Sequence, residues 1–148
     1  MAEAFSIRAI RLNDLVALGE LNHEFNGLVM TPEQIAVRLR STQHSELVVV
    51  AEMSDRIVGF ACVQICDSVC YARPWAELTE LYVREGCRRQ GLGRGLVQEA
   101  ERLARQKGAT DMVIRTGEAN AAGQALYSTL GYTTQPHLTL QKPLSEPT

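Results

Sequence analysis

The chain has 148 residues, 45% apolar and 22% charged, with a formal net charge of -2. These values suit one globular, soluble domain spanning 1–148 with a sizeable core. They argue against a general nucleic-acid binder, which is usually basic, and no apolar run approaches the ~18 residues that cross a bilayer.

Taken in chain order, Phe5-Ser6-Ile7-Arg8-Ala9-Ile10 alternates apolar and polar residues, the period of a strand. Asn13 or Asp14 can cap a first helix carrying Leu15, Leu18, Leu21 and Phe25 at helical spacing. Thr31-Pro32-Glu33-Gln34 has capping-box form with proline at the first helical position, and predicts a short second helix to about Ser41. Leu47–Ala51 reads as a buried strand, Asp55-Arg56 as a turn, and Ile57–Cys66 as the returning strand of a hairpin. After a loop at Tyr71–Trp75, Glu77–Val83 is a strand. A long helix follows through Leu96, Val97, Ala100, Leu103 and Ala104 and stops at Gly108. Met112–Ile114 is a strand, a helix starts near Asn120 and ends at Gly131, and Thr133–Leu140 is a terminal strand, bulged or at an edge around Pro136. Pro143–Thr148 is expected to fray. The order is β-α-α-β-β-β-α-β-α-β, a mixed α/β pattern.

Between the third hairpin-region strand and the long helix lies Arg88-Arg89-Gln90-Gly91-Leu92-Gly93-Arg94-Gly95. Glycines at a helix start let a bulky anion approach backbone N–H groups, and the flanking arginines add positive charge. The expected ligand group is a pyrophosphate. Gly86 and Gly91 have P-loop separation, but Leu92 and Gly93 stand where Lys and Ser/Thr are required, which removes the magnesium-nucleotide reading. The alternating G-x-G-x-G also departs from the G-x-G-x-x-G dinucleotide fingerprint. Cys62, Cys66 and Cys70 have no second cysteine pair, and His23, His44 and His137 are scattered. No metal site is expected, and the cysteines read as small core or pocket residues.

Two segments carry a resemblance. Arg88-x-x-Gly91-x-Gly93 fits the Q/R-x-x-G-x-G/A signature of the GNAT family of N-acetyltransferases. Downstream, Asn120, Ala125-Leu126-Tyr127 and Leu130-Gly131-Tyr132 are similar to the family's N-x-x-A-x-x-x-Y-x-x-x-G-[FY] segment, with small differences of spacing. The resemblance spans roughly residues 5 to 142. It implies a central, mostly antiparallel sheet flanked by helices, whose fourth and fifth strands splay to admit acetyl-coenzyme A. Gly86-Cys87 depart from the family, where a proline and a larger residue are commoner.

The resemblance also implies roles. The pyrophosphate would rest on N–H groups of Gln90, Gly91, Leu92, Gly93 and Arg94, with Gly95 completing the glycine turn. Arg88 would shape the loop, and Arg89 or Arg94 would reach phosphates by side chain. A β-bulge in the preceding strand would free backbone groups around Leu81, Tyr82 and Val83 for pantetheine, Leu81 N–H serving as the oxyanion donor. Asn120 would bond pantetheine, and Tyr127 would protonate the leaving thiolate. The base would be Glu77 or Glu80, which face opposite sides of a regular strand unless the bulge changes the phase. Glu20, Glu24 and the residues near Asn26 and Met30 would form one wall of the acceptor side, and Trp75, ahead of the strand, would either face the acceptor as a lid or cation-facing ring or pack in the core. The implied activity is acetyl transfer from acetyl-CoA to a small-molecule or peptide amine, without metal, nucleic acid or membrane, in a possible homodimer. The alternatives are a non-catalytic coenzyme A-binding regulatory module and a kinase or nucleotide hydrolase. Met1-Ala2-Glu3-Ala4 lacks the pattern of a secretory leader, so the expected location is cytoplasmic.

Overall fold

The computed structural model describes residues 3–146. Its elements are β1 (Phe5–Ala9), α1 (Leu15–Asn26), α2 (Pro32–Thr42), β2 (Glu46–Met53), β3 (Arg56–Cys66), β4 (Trp75–Val83), α3 (Leu92–Gln106), β5 (Met112–Ile114) and α4 (Ala121–Thr129). The sheet runs β1-β2-β3-β4-β5 in sequence order. Its first three pairings are antiparallel and β4–β5 is parallel. This is the mixed α/β architecture expected from the element order, with one strand fewer.

Local chemistry sets the boundaries. The Thr31 hydroxyl accepts the Gln34 N–H at 3.1 Å while the Gln34 side chain accepts the Thr31 N–H at 2.8 Å. The capping box starts α2 where the sequence places it. The β2–β3 hairpin turns through Ser54 and Asp55, both at positive φ (50° and 58°), the backbone of a two-residue turn matched to strand twist. Gly108, at φ 88°, closes α3.

The sheet has an apolar cluster on each face. α3 covers one, built on Val49, Ala61, Leu78, Leu92, Leu96, Val97 and Ala100. α1 and α2 cover the other, with Leu18, Leu21, Ile35, Val50 and Phe60. A Cβ on Gly95 would stand 3.1 Å from the Ile7 side chain, so the missing side chain lets α3 lie close to β1.

One buried charge group pins β1 to α1. Asp14, 4% exposed, accepts from the Arg8 guanidinium at 2.7 and 3.0 Å and from the Arg11 N–H at 2.7 Å. Arg8 also donates to Glu52 at 2.7 Å. The hydrogen bond from Arg8 holds the Asp14 carboxyl below the usual carboxylate range. Asp14→Asn leaves the arginine partly uncompensated and is expected to cost about 3 kcal/mol in urea unfolding. Because the folded pKa lies below the unfolded one, this stabilisation is present above the unfolded value of ~3.9 and lost as pH falls through the folded value. The gap between wild type and variant should therefore close in acid.

Three expectations need correction. Thr133–Leu140 is not a strand: residues 133–146 are exposed and without regular structure. Asp14 does not cap α1 with its side chain; it closes a 3-10 turn, Leu12–Asp14, that leads into the helix. Gly95 is not part of the open turn, since its N–H already donates to the Gly91 carbonyl at 3.0 Å inside α3. Of the expected frayed tail, Pro143 to Glu146 is exposed, while Pro147 and Thr148 lie outside the described residues, as do Met1 and Ala2.

Candidate active site

The site starts from a register shift. β3 and β4 pair as Cys62↔Glu80 but Val63↔Leu78, leaving Thr79 as the extra residue of a β-bulge. Before it, Ala76 and Leu78 point into the α3-side cluster; after it, Leu81 and Val83 do. The bulge has changed the phase of the strand. Glu77 and Glu80 therefore share the opposite face, the one that carries α1 and α2. The alternation that would separate them does not hold across Thr79.

The bulge lies beside a second break. β5 follows β4 only through Ala76↔Met112, Glu77↔Val113 and Leu78↔Ile114. From Thr79 to Val83, β4 continues without β5 beside it, so the two strands splay. The Arg84 N–H donates to the Val58 carbonyl of β3 at 2.8 Å. Alternation in an antiparallel ladder then turns Tyr82 and Glu80 toward β3, and the N–H groups of Leu81 and Val83 toward the gap. Tyr82 itself faces the α1 side; its ring stacks on Phe25 at 5.2 Å and its hydroxyl donates to Glu24 at 3.0 Å.

The glycine turn opens at the end of this strand. The Arg88 side chain donates to the Val83 carbonyl at 2.8 Å, tying loop to strand, and its guanidinium lies 5.6 Å from the Tyr82 ring centre. Arg89 at φ 63° and Gly91 at φ 89° bend the chain into α3. Left-handed backbone is easy for glycine and costly for arginine, a strain of about 1 kcal/mol. The N–H groups of Leu92, Gly93 and Arg94 begin the helix and have no carbonyl one turn earlier to bond. A Cβ on Gly91 would meet nothing closer than Phe5 at 3.9 Å, so the approach to these donors is open. Arg94 spends its side chain elsewhere, on the Thr129 hydroxyl of α4 at 2.9 Å. Its main-chain donor remains, but the expected side-chain reach to a phosphate is not the arrangement seen.

Across the gap stands α4. Asn120 caps it: its side-chain oxygen accepts the Gly123 N–H at 3.1 Å and its amide donates to Thr116 at 3.1 Å. A Cβ on Gly123 would fall 2.4 Å from that amide, so the cap requires glycine there. Asn120 thus holds the helix start, which competes with the expected contact to pantetheine. Tyr127 packs against the cluster that contains Leu81, Val83 and Ile114, edge-on to Tyr132 at 6.1 Å. Burial pushes its hydroxyl pKa up, so it stays protonated at neutral pH. The hydroxyl makes no hydrogen bond to another described residue.

On the acceptor side, the two carboxylates differ. Glu77 is ion-paired with Arg115, which extends from β5 on the same face. Among the described residues, the Glu80 carboxylate accepts only from Asn26 of α1, at 3.3 Å. Glu24 accepts from Tyr82 and from Arg84, the latter at 2.9 Å, and Arg84 holds its pKa down. Glu46 of β2 lies in the cross-strand row of Gln64 and Glu77; burial first of all raises its pKa, and it accepts from Gln64 at 2.8 Å. Trp75 opens β4 beside Tyr71, ring centres 6.0 Å apart. Glu24 and Asn26 reach β4 through Tyr82 and Glu80, whereas Met30 meets Asn22, its sulfur 3.9 Å from that amide. Cys62 is partly buried on this face, and burial raises its thiol pKa; Cys70 is exposed. Among the described residues no group of three or more His, Cys, Asp and Glu could hold a metal, and no helix is long and apolar enough to cross a membrane.

Arg115 and Glu46 were not candidates from sequence. Arg115 lies just past a three-residue strand, and only the β4–β5 register, which pairs Glu77 with Val113, brings it two residues on along the same face, within reach of Glu77. Glu46 precedes an apolar run and looks like an edge charge until the β2–β3–β4 register sets it in one row with Gln64 and Glu77.

A splayed β4–β5 pair, a bulge before the gap and a glycine-opened helix start define an acyl-coenzyme A transferase fold. Residues 16–132 match the acetyltransferase (GNAT) family, and the chain belongs to it. It is 29% identical over 83 residues to human N-acetyltransferase 8, a match covering 56% of this chain but only 37% of that protein. An aminoglycoside acetyltransferase from an uncultured soil metagenomic sample, solved with trehalose, superposes with TM-score 0.81 at 18% identity, covering 96% of this chain and 97% of that one. AAC(6')-Iy, solved with the bisubstrate analogue CoA-S-monomethyl-acetylneamine, gives TM-score 0.82 at 20% identity, covering 96% and 99%. A probable acetyltransferase gives 0.78 at 26% identity, covering 96% and 99%. The solved structures establish the fold.

Proposed function

We propose that this chain is a single-domain, cytoplasmic, acetyl-CoA-dependent N-acetyltransferase that passes the acetyl group to a primary amine by direct attack. The observation that carries the reading is the alignment of unspent main-chain donors. Leu81 and Val83 turn theirs into the gap left by β5, and α3 presents those of Leu92, Gly93 and Arg94 at its start. A helix N-terminus of this kind suits a diphosphate. An amide aimed into a gap suits pantetheine or an oxygen gaining charge.

In this reading the thioester carbonyl lies at Leu81 N–H. The amine nitrogen bonds to the carbonyl carbon, the C–S bond breaks, and Tyr127 gives its proton to the departing sulfur. Glu80 takes the amine proton, directly or through one water. Glu80 is preferred to Glu77 because Arg115 already occupies Glu77, while among the described residues the Glu80 carboxylate accepts only from the neutral amide of Asn26. The acidic groups along β4 and α1 favour a cationic acceptor, and the aminoglycoside acetyltransferases among its structural neighbours are consistent with that chemistry.

The test is thiol release from acetyl-CoA across a panel of amines. Release with at least one amine supports the reading. Tight coenzyme A binding without release on any amine would instead support a regulatory module. With a working acceptor, Glu80→Gln should lower kcat by roughly 100-fold and Glu77→Gln by much less. The reverse order would move the base to Glu77.

A further inference from the structure

Arg115 takes no part in the steps above, yet it stands at their edge. It follows β5 by one residue, and Glu77 pairs with Val113 and Leu78 with Ile114. Residue 115 therefore comes level with Thr79, next to Glu80, where the β4–β5 gap opens. Its Nη1 donates to Glu77, and among the described residues this is its one side-chain bond. The pair leaves Glu77 19% exposed and Arg115 62% exposed. A guanidinium carries five N–H donors in a fixed fork, so the rest of the fork is open to solvent at the mouth of the gap. An exposed ion pair adds little to stability, which does not account for an arginine held here. Its charged neighbours are engaged: Arg84 gives Nε and Nη2 to Glu24 at 3.3 and 2.9 Å, and Glu46 accepts from Gln64 at 2.8 Å and Thr42 at 3.3 Å. The cleft thus offers Glu80, a carboxylate bonded only to the neutral Asn26 amide among the described residues, and Arg115, a cation with donors to spare.

We propose that Arg115 binds a carboxylate of the acceptor, and that the acceptor is an amino acid whose carboxylate lies one to three carbons from the reacting amine. The inference rests on the acetyl-transfer reading above. Glu80 draws the ammonium end and takes its proton, while the open N–H groups of Arg115 take the other end through a charge-assisted fork. Glu77 holds that fork in place. The spacing sets the length: neighbouring strands lie about 4.8 Å apart, and Glu80 and Arg115 stand at nearly the same level of β4 and β5. The two groups they hold therefore belong to one small molecule. A peptide N-terminus presents a neutral carbonyl at that place and leaves the fork without its anion. A polyamine brings a second cation against it.

Thiol release with matched acceptors tests this: each common amino acid, its amide, and the amine left when its carboxyl is removed. For the best amino acid, kcat/KM should exceed that of its amide and its decarboxylated amine by about 30-fold, mainly through KM. Arg115→Gln should bring that ratio below roughly threefold, and Arg115→Lys, which keeps the charge but loses the fork, should fall between. Calorimetry on the coenzyme A-saturated wild type needs no variant to fold: the N-acetylated amino acid should bind roughly tenfold more tightly than its amide. An amide or diamine preferred over the amino acid, a preference that survives Arg115→Gln, or equal binding of the two products would each overturn the proposal while leaving acetyl transfer standing. Absence of thiol release with every amine would overturn the acetyl-transfer reading, and this proposal with it.

Discussion

Tyr127→Phe should lower kcat by two to four orders of magnitude while changing the affinity for coenzyme A less than threefold. The ring is already half-buried among Leu81, Val83 and Ile114, and phenylalanine keeps that packing and the edge-on contact with Tyr132. Only the hydroxyl is lost, and that hydroxyl has no partner among the described residues, so the thermal midpoint should hardly move. Losing the proton donor, in contrast, leaves the sulfur to depart as an unprotonated thiolate. The pH profile gives the sign. Burial raises the Tyr127 pKa above its usual value near 10, so the acid is fully protonated below that pH. The alkaline limb of kcat that belongs to this acid should therefore lie beyond pH 10. A variant with full turnover would remove Tyr127 from the reaction. A collapsed midpoint would make it a packing residue.

Gly93→Glu should separate stability from function. A carboxylate in the first turn of a helix opposes the macrodipole favourably and is worth about 0.5 kcal/mol. Glutamate also extends helices better than glycine by a further ~0.5 kcal/mol. The position admits a Cβ, which would meet the Leu126 side chain at an ordinary 3.4 Å. The protein should therefore unfold at equal or higher urea concentration. Its affinity for acetyl-CoA should nonetheless fall by at least 100-fold, about 2.7 kcal/mol, because the new charge stands where the diphosphate is to sit and competes for the same donors. Gly93→Ala supplies the control: little charge effect, and a loss of tenfold or less. Undiminished binding by Gly93→Glu would place the phosphates elsewhere.

Much of this architecture was legible in the residues. The Thr31 box, the apolar stripe of α3 and the short β5 run are local signals, and local signals survive folding. The glycine turn was legible for the same reason, since steric access to a helix start is written in the side chains that are missing. The resemblance implied a bulge in β4, but neither its position nor the register across it was legible. Thr79 looks like any polar strand residue, and only the pairing with Cys62 and Val63 makes it the bulge that brings Glu77 and Glu80 onto one face. Arg115 became the partner of Glu77 through that same pairing with β5. Gly95 shared the spacing of the turn but serves the approach of α3 to Ile7. Thr133–Leu140 has strand chemistry without a strand beside it, because sequence period specifies a face and not a neighbour.

The central claim is that main-chain donors at the start of α3 hold the diphosphate of coenzyme A. Titration calorimetry with a ligand series tests it most directly. Acetyl-CoA, coenzyme A and 3'-dephospho-coenzyme A should all bind with similar affinity, whereas pantetheine, which lacks the diphosphate, should bind at least 100-fold more weakly. No heat with coenzyme A on folded protein, or pantetheine binding as tightly as coenzyme A, would contradict it.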